Sequence, residues 1–101
     1  MDKTSSKKTQ IALVGLGQIA RHHIAGIQAA EGLELVAVCD NDPKKQQEDW
    51  VQQLHVNTYS DIDALLENEK DVAYIVVATS TDSHKPLIKR IVEAGRTPIV
   101  E

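Results

Sequence analysis

The chain has 101 residues, which is enough for one domain and too few for two. Hydrophobic residues make up 42% of it and charged residues 26%, proportions that are typical of a globular protein and exclude a disordered or collagen-like one. The net charge is −4, and because residues 1–9 carry +2, the rest of the chain carries −6. An acidic body with only three aromatic side chains excludes nucleic acid as a partner.

Cys39 is the single cysteine, so no internal disulfide can form. The N-terminus lacks the hydrophobic core of a signal peptide, and no apolar run approaches the ~20 residues that would span a bilayer. We therefore expect a cytoplasmic protein that has no contact with a membrane.

Residues 1–9 show no apolar periodicity and are predicted to form a disordered leader. From Gln10 onward, short apolar runs alternate with segments of helical periodicity, which predicts an α/β fold of parallel strands joined by crossover helices. The predicted strands are 11–14, 35–39, 56–59, 72–78 and 98–101. Residues 10–101 would form one domain whose mainly parallel sheet of about five strands carries helices on both faces.

Two helices are predicted in the first half of this domain. The first follows Gly17 and ends at Gly32, which would supply the C-terminal cap. The second begins after Asp42, whose carboxylate can cap the first turn, and has Pro43 where no N–H is needed. Its weak periodicity continues to Leu54.

Two further helices are predicted in the second half. Ser60 and Asp63 resemble a capping box that opens a brief helix. A longer helix precedes the last strand, with Pro86 tolerated in its first turn and with Ala94 and Gly95 at its end.

The segment between the first strand and the first helix matches the pattern G-x-G-x-x-G/A. Gly15 would allow the tight turn, and Gly17 would let the main chain approach a pyrophosphate. Ala20 would keep the helix near the sheet and direct its N-terminal N–H groups at the anion. The pattern by itself is only a weak indication of dinucleotide binding, because small residues also occur in such turns for packing.

Asp40 strengthens this interpretation, because it ends the second strand 23 positions after Gly17. An acid near this offset accepts hydrogen bonds from the adenosine ribose hydroxyls of NAD and repels the 2′-phosphate of NADP. Asp40 therefore favours NAD, while Lys44 and Lys45 leave some tolerance of NADP open. The alternative is that Asp40 is only a solvated residue at a strand end.

The turn after the fourth strand is predicted to lie at the same edge of the sheet. In a doubly wound sheet, ligands bind outside the carboxyl ends of the strands, near the point where the strand order reverses. Thr79, Ser80 and Thr81 would border the cofactor there, or would simply cap the next helix. His84 follows this turn, where capping or packing is the simpler role. No spacing of His and Cys predicts a metal site.

At these residues the chain resembles the N-terminal nucleotide-binding domain of the Gfo/Idh/MocA oxidoreductase family. The resemblance covers residues 10–101 and rests on four segments, GLGQIA with RHH after it (15–23), VCD (38–40), VATSTDSH (77–84) and AGRTPIVE (94–101). Ser80 departs from the family, in which proline is frequent at this position. The resemblance implies a Rossmann-like fold of the doubly wound class and hydride transfer between NAD(P) and a sugar, cyclitol or related hydroxyl or carbonyl group.

The resemblance also implies what the end of the chain should contain. The family continues its last segment as Glu-Lys-Pro, and Glu101 matches the glutamate, which lies near the nicotinamide ribose. We expect the lysine, which assists proton movement, and a second, substrate-binding domain to be absent from this chain, so no catalytic residue is predicted. The predicted cofactor-binding residues are Gly15, Gly17, Gln18, Ile19, Asp40, Asn41, Ala78, Thr79, Ser80, Thr81, His84 and Glu101.

The leading hypothesis is therefore a nucleotide-binding fragment that binds NAD, and NADP less well, but takes a small-molecule substrate only together with the missing domain. One alternative is a non-enzymatic NAD(P)-binding sensor that docks a partner protein. A lower-ranked one is an S-adenosylmethionine-binding domain, because methyltransferases also place an acid near a ribose. We also expect weak self-association or strand pairing through the exposed sheet edge at Ile99 to Glu101.

Overall fold

The computed structural model describes residues 8–79 and 81–100. In chain order its elements are β1 (Thr9–Val14), α1 (Gln18–Ala29), β2 (Leu33–Cys39), α2 (Pro43–Gln46), α3 (Asp49–Gln52), β3 (Asn57–Tyr59), α4 (Ile62–Asn68), β4 (Tyr74–Val77), α5 (Thr81–Glu93) and β5 (Thr97–Val100). The strands form one parallel sheet in the order β3-β2-β1-β4-β5. The predicted doubly wound α/β fold is confirmed.

The apolar side chains of β1 alternate between two cores, one on each face of the sheet. Ile11 and Leu13 pack with α1 and α3 on one face. Ala12 and Val14 pack with α4 and α5 on the other. Because both faces of β1 are covered, its residues form a continuous apolar run in the sequence. The chain reverses its direction of winding between β1 and β4, so the carboxyl ends of these two strands flank the crevice where such sheets bind ligands.

Several predicted boundaries were wrong. β1 begins at Thr9, so it overlaps the predicted leader by one residue, and residues 1–7 lie outside the described part. α1 ends at Ala29 rather than at Gly32, whose carbonyl instead accepts a hydrogen bond from the N–H of Thr9 at 2.9 Å. β2 begins two residues earlier than predicted, at Leu33, since it pairs with the start of β1.

The single helix predicted between Asp42 and Leu54 is two short helices, α2 and α3. The Asp42 carboxylate caps α2 as predicted, accepting from the N–H of Lys44 at 3.0 Å. No residue of α2 is buried, so no apolar stripe holds one continuous helix against the sheet. In α3, by contrast, Val51 is buried in the core.

Three predictions about the second half also need correction. The N-cap residue of α4 is Asp61 and not Ser60. The carboxylate of Asp61 accepts a hydrogen bond from the N–H of Ala64 at 2.8 Å. Pro86 is the sixth residue of α5 and not part of its first turn. β4 is shorter than the predicted strand, although its flanking Ala78 still donates to the carbonyl of Val14 at 2.8 Å.

The end of α5 and the last strand agree better with prediction. Gly95 has a φ of +80°, and the N–H groups of Gly95 and Arg96 donate to the carbonyls of Val92 and Ile91, which closes the helix at the predicted stop. β5 forms one edge of the sheet, where Ile99 and Val100 are more than two-fifths exposed. Self-association through this edge stays a prediction.

Candidate functional site

The turn between β1 and α1 lies against the end of β4, and this contact requires glycine at position 15. Gly15 has a φ of +101°, a conformation that L side chains rarely adopt. A Cβ atom added there would lie 2.9 Å from the carbonyl carbon and oxygen of Ala78 and 2.9 Å from Cγ2 of Thr79. The N–H of Gly15 donates to the carbonyl of Cys39 at 2.8 Å. The glycine turn is therefore held between the ends of β2 and β4.

Gly17 differs from Gly15, because no contact with the described residues requires glycine at position 17. Its φ of −77° is open to any residue, and an added Cβ would meet no atom of the described residues within 4 Å. It occupies the N-cap position of α1, where it has no side chain to accept from the first helical turn, and that turn contains no acidic residue. The N-terminus of α1 is thus left open to an anion.

The Asp40 carboxylate is held at the same edge by two main-chain hydrogen bonds. Its Oδ2 accepts from the N–H of Leu16 and its Oδ1 from the N–H of Asp42, both at 2.8 Å. Since each carboxylate oxygen can accept more than one hydrogen bond, Asp40 keeps acceptor capacity for a ligand. The first of these bonds fixes Asp40 directly beside the glycine turn.

These features line one cleft of about 670 Å³ at the carboxyl edge of the sheet. Six of the predicted cofactor-binding residues contribute to it, namely Gly15, Gly17, Asp40, Asn41, Ala78 and Thr79. The hydroxyl oxygen of Thr79 is buried and has no hydrogen-bond partner among the described residues. A buried hydroxyl without a partner is costly, so its position fits a site that a polar ligand completes.

The other six predicted residues stand differently. Gln18 and Ile19 form the exposed first turn of α1 beside the cleft and are not among its lining residues. Nε2 of His84 lies 2.7 Å from the carbonyl oxygen of Thr79, so this side chain supports the turn after β4. Thr81 is the first residue of α5. The predictions for Ser80 and Glu101 lie outside the described residues.

The cleft extends further along the sheet edge than predicted. The lining residues that the prediction missed are Val14, Leu16, Cys39, Lys45, Ser60, Asp61, Ile62, Pro86 and Leu87. Part of this set could have been found, because Ser60 and Asp61 directly follow β3 and the carboxyl ends of parallel strands meet at one edge. Pro86 and Leu87 give no such signal, since they lie inside α5.

Cys39 lines the cleft as a neutral thiol. Burial, and after it the nearby carboxylates of Asp61 and Asp40, raise the pKa of this thiol from 9.0 to about 12. Both acids thus act on the same part of the cleft. Because a nucleophilic cysteine needs a lowered pKa, Cys39 is a structural residue rather than a reactive one.

Comparison with known proteins agrees with this geometry. The model of the GFO_IDH_MocA oxidoreductase family, described as having an NAD-binding Rossmann fold, matches residues 9–101. The chain belongs to this family. The resemblance identified in the sequence is therefore confirmed.

Individual members of the Gfo/Idh/MocA family match over nearly the whole chain. D-apiose dehydrogenase from Paraburkholderia graminis is 29% identical over 98 residues, which are 97% of this chain and 26% of that enzyme. The crystal structure of the WlbA dehydrogenase from Bordetella pertussis, in complex with NADH and UDP-GlcNAcA, is 27% identical with a TM-score of 0.85, and the match covers 93% of this chain and 29% of that one. An NAD-binding protein from Listeria innocua is 32% identical with a TM-score of 0.82, over 93% of this chain and 27% of that one.

The chain therefore spans between a quarter and a third of the length of these relatives. Among residues 8–79 and 81–100, no helix is both long enough and apolar enough to cross a bilayer. The same residues contain no group of three His, Cys, Asp or Glu side chains that could hold a metal ion.

Proposed function

We propose that this chain is the cofactor-binding domain of an oxidoreductase that transfers a hydride between NAD and a sugar, cyclitol or related substrate. The observation that carries the proposal is the cleft itself, in which an open Gly17, the Asp40 carboxylate and the buried hydroxyl of Thr79 meet at one sheet edge. These groups match, in kind, the three polar parts of a dinucleotide. The pyrophosphate needs a helix N-terminus, and the two riboses need acceptors and donors.

Each residue would have a separate part in holding the cofactor. The N–H groups at the start of α1 would bind the pyrophosphate next to Gly17, and Asp40 would accept from the adenosine ribose hydroxyls. Thr79 would offer its unpartnered hydroxyl, and the apolar side chains of Ile62 and Leu87 suit a flat base. The nicotinamide of the bound cofactor supplies the hydride acceptor or donor. We assign proton transfer and substrate binding to no residue of this cleft.

The charges in the cleft favour NAD over NADP. Among the described residues, Asp40 and Asp61 both line it, against one cation, Lys45. A 2′-phosphate would carry up to two further negative charges toward these carboxylates, at a cost in Coulomb energy. The NADH bound to the WlbA dehydrogenase supports the same preference. Lys45 would give NADP some residual affinity.

Titration calorimetry of the purified chain with NAD, NADP and S-adenosylmethionine tests the proposal. We expect NAD to bind most tightly and NADP to bind more weakly. Tighter binding of S-adenosylmethionine than of NAD would instead favour the methyltransferase-type alternative. If a folded sample bound no dinucleotide at millimolar concentration, the proposed function would be wrong.

A further inference from the structure

The side-chain amide of Gln46 joins the carboxyl ends of β2 and β3. Its Nε2 donates to the carbonyl of Asp40 at 2.8 Å and to the carbonyl of Tyr59 at 3.0 Å, and it lies 3.3 Å from Oγ of Ser60. An amide nitrogen carries two N–H groups, so one side chain can satisfy both carbonyls at once. Gln46 thus links two strand ends from a position 13 and 14 residues away from Tyr59 and Ser60.

These bonds complete the support of Asp40. Its N–H donates to the carbonyl of Tyr59 at 3.1 Å, its carbonyl accepts from Gln46, and its carboxylate accepts from Leu16 and Asp42. The main chain of Asp40 is therefore held on both sides, and the side chain points to the glycine turn. Removing Gln46 would free the carbonyl and loosen the loop that carries this carboxylate.

Apolar packing does not hold α2 and its loop in place. α2 has no buried residue, and it consists of only four residues. A second side-chain amide holds the C-terminus of α2, because Nε2 of Gln52 donates to the main-chain carbonyl of Gln46 at 2.7 Å. The segment between β2 and α3 is therefore held by polar contacts, four of which involve Gln46.

We infer that Gln46 is a positioning residue for the adenosine end of the cleft, acting through Asp40 and without touching the cofactor; this rests on the proposed function. Gln46 sets the place from which the Asp40 carboxylate meets the ribose 2′-hydroxyl. Its loss should reduce recognition of this hydroxyl more than it reduces binding of the remainder of the nucleotide.

Two variants remove the donors in different ways. Gln46→Glu keeps the size of the side chain but presents a carboxylate to two carbonyl oxygens, and Gln46→Met removes the N–H groups without adding charge. The matched control is Gln47→Glu, at the exposed neighbouring position, where the native side chain makes no hydrogen bond among the described residues. It changes the net charge of the chain as Gln46→Glu does.

The experiment compares the affinity for AMP with that for 2′-deoxy-AMP, which lacks the 2′-hydroxyl, one of the two ribose hydroxyls from which Asp40 would accept. We expect wild-type chain and Gln47→Glu to prefer AMP by the same ratio, and this ratio to fall about threefold or more in both Gln46 variants. Gln46→Met gives the result by itself if Gln46→Glu does not fold.

Thermal unfolding without ligand separates this role from a merely structural one. A Gln46 variant that loses stability but keeps the wild-type preference for AMP would overturn the inference, and so would a wild-type chain without any such preference. After either of these two outcomes, NAD binding by the wild-type chain would still support the proposed function. If the wild-type chain bound neither NAD nor AMP, both the proposed function and this inference would fall.

Discussion

The Asp40 carboxylate accepts a hydrogen bond from the main-chain N–H of Leu16 at 2.8 Å, although the two residues are 24 positions apart in the sequence. The bond connects the loop after β2 to the turn after β1. Asp40 therefore has a role in the free protein besides the ribose contact that we propose, because it shapes the turn that would hold the pyrophosphate.

Replacing Asp40 should consequently affect both folding and binding. Asp40→Ala leaves the N–H groups of Leu16 and Asp42 without their acceptor, and we expect the free energy of unfolding to fall by about 2 kcal/mol. NAD binding should weaken as well. Urea denaturation and calorimetry check the two effects, with Asp71→Ala as the control, since Asp71 is an exposed acid that is not among the lining residues of the cleft. Unchanged stability of Asp40→Ala would contradict the structural role.

Gly15 is predicted to be required by the fold. An alanine there combines the unfavourable φ of +101° with contacts of 2.9 Å to Ala78 and Thr79, so we expect a loss of about 2 kcal/mol or more. Gly26→Ala is the matched control, because Gly26 lies exposed within α1 and its added Cβ would meet no described residue within 4 Å. It should stabilise the chain by up to about 1 kcal/mol and leave NAD affinity unchanged. Equal stability of the two variants would argue against the close approach of β4.

Asp61 is predicted to contribute to the choice between NAD and NADP. Asp61→Asn removes its charge but keeps a good N-cap for α4, so the helix should be preserved. We expect the preference for NAD over NADP to fall roughly three- to fivefold as the repulsion of a 2′-phosphate decreases. Glu67→Gln, an exposed position on the same helix, removes one charge away from the cleft and should leave the preference unchanged. The same decrease in both variants would show a general charge effect and no local role of Asp61.

The raised pKa values of Cys39 and Tyr59 predict that the chain loses stability at alkaline pH. The pKa of the Cys39 thiol is raised from 9.0 to about 12, and the hydrogen bond that Tyr59 donates to Glu69 at 2.5 Å raises the pKa of Tyr59 from 10.0 to about 12. Both groups stay protonated to a higher pH in the folded chain than in the unfolded one. Their contribution to the free energy of unfolding is therefore complete below about pH 9 and is lost as the pH rises toward 12.

Urea denaturation at a series of pH values between 8 and 12 checks this dependence. In Tyr59→Phe, the part of the decrease above about pH 10 that belongs to Tyr59 should disappear. A decrease of the same size in wild-type chain and Tyr59→Phe would show that the Tyr59–Glu69 hydrogen bond does not stabilise the protonated phenol.

The parts of the site that could be predicted from the sequence are those determined by local geometry. The turn containing Gly15 and Gly17 needs small residues at fixed spacing, and Asp40 lies at the end of an unmistakable apolar strand. The alternation of apolar runs with helical periods likewise predicted the parallel sheet and both helical layers, because it reflects strands that are buried on both faces.

The parts that could not be predicted depend on contacts between distant segments. Gln46 looks like one more polar residue in a weak helix, and only the fold brings its amide to the ends of β2 and β3. The break between α2 and α3 has a related cause, since polar contacts rather than an apolar stripe hold this segment. Pro86 and Leu87 reach the cleft only through the packing of α5 against the sheet.

Gly17 offers a way to separate binding from folding. Asp and Asn are both strong N-cap residues, and the backbone at position 17 accommodates either, so neither variant should destabilise α1. Both side chains would occupy the open space beside the helix N-terminus, and Asp would also present a negative charge to the pyrophosphate. We expect NAD to bind more weakly to Gly17→Asn than to wild-type chain and more weakly still to Gly17→Asp.

Calorimetric titration of NAD into wild-type chain and Gly17→Asp, each shown to be folded by its unfolding transition, tests the dinucleotide site most directly. Binding to the wild-type chain, with at least tenfold weaker binding to a variant of equal or greater stability, is the predicted result. Equal NAD affinity of the two proteins would contradict it, because the cofactor would then not lie against the N-terminus of α1.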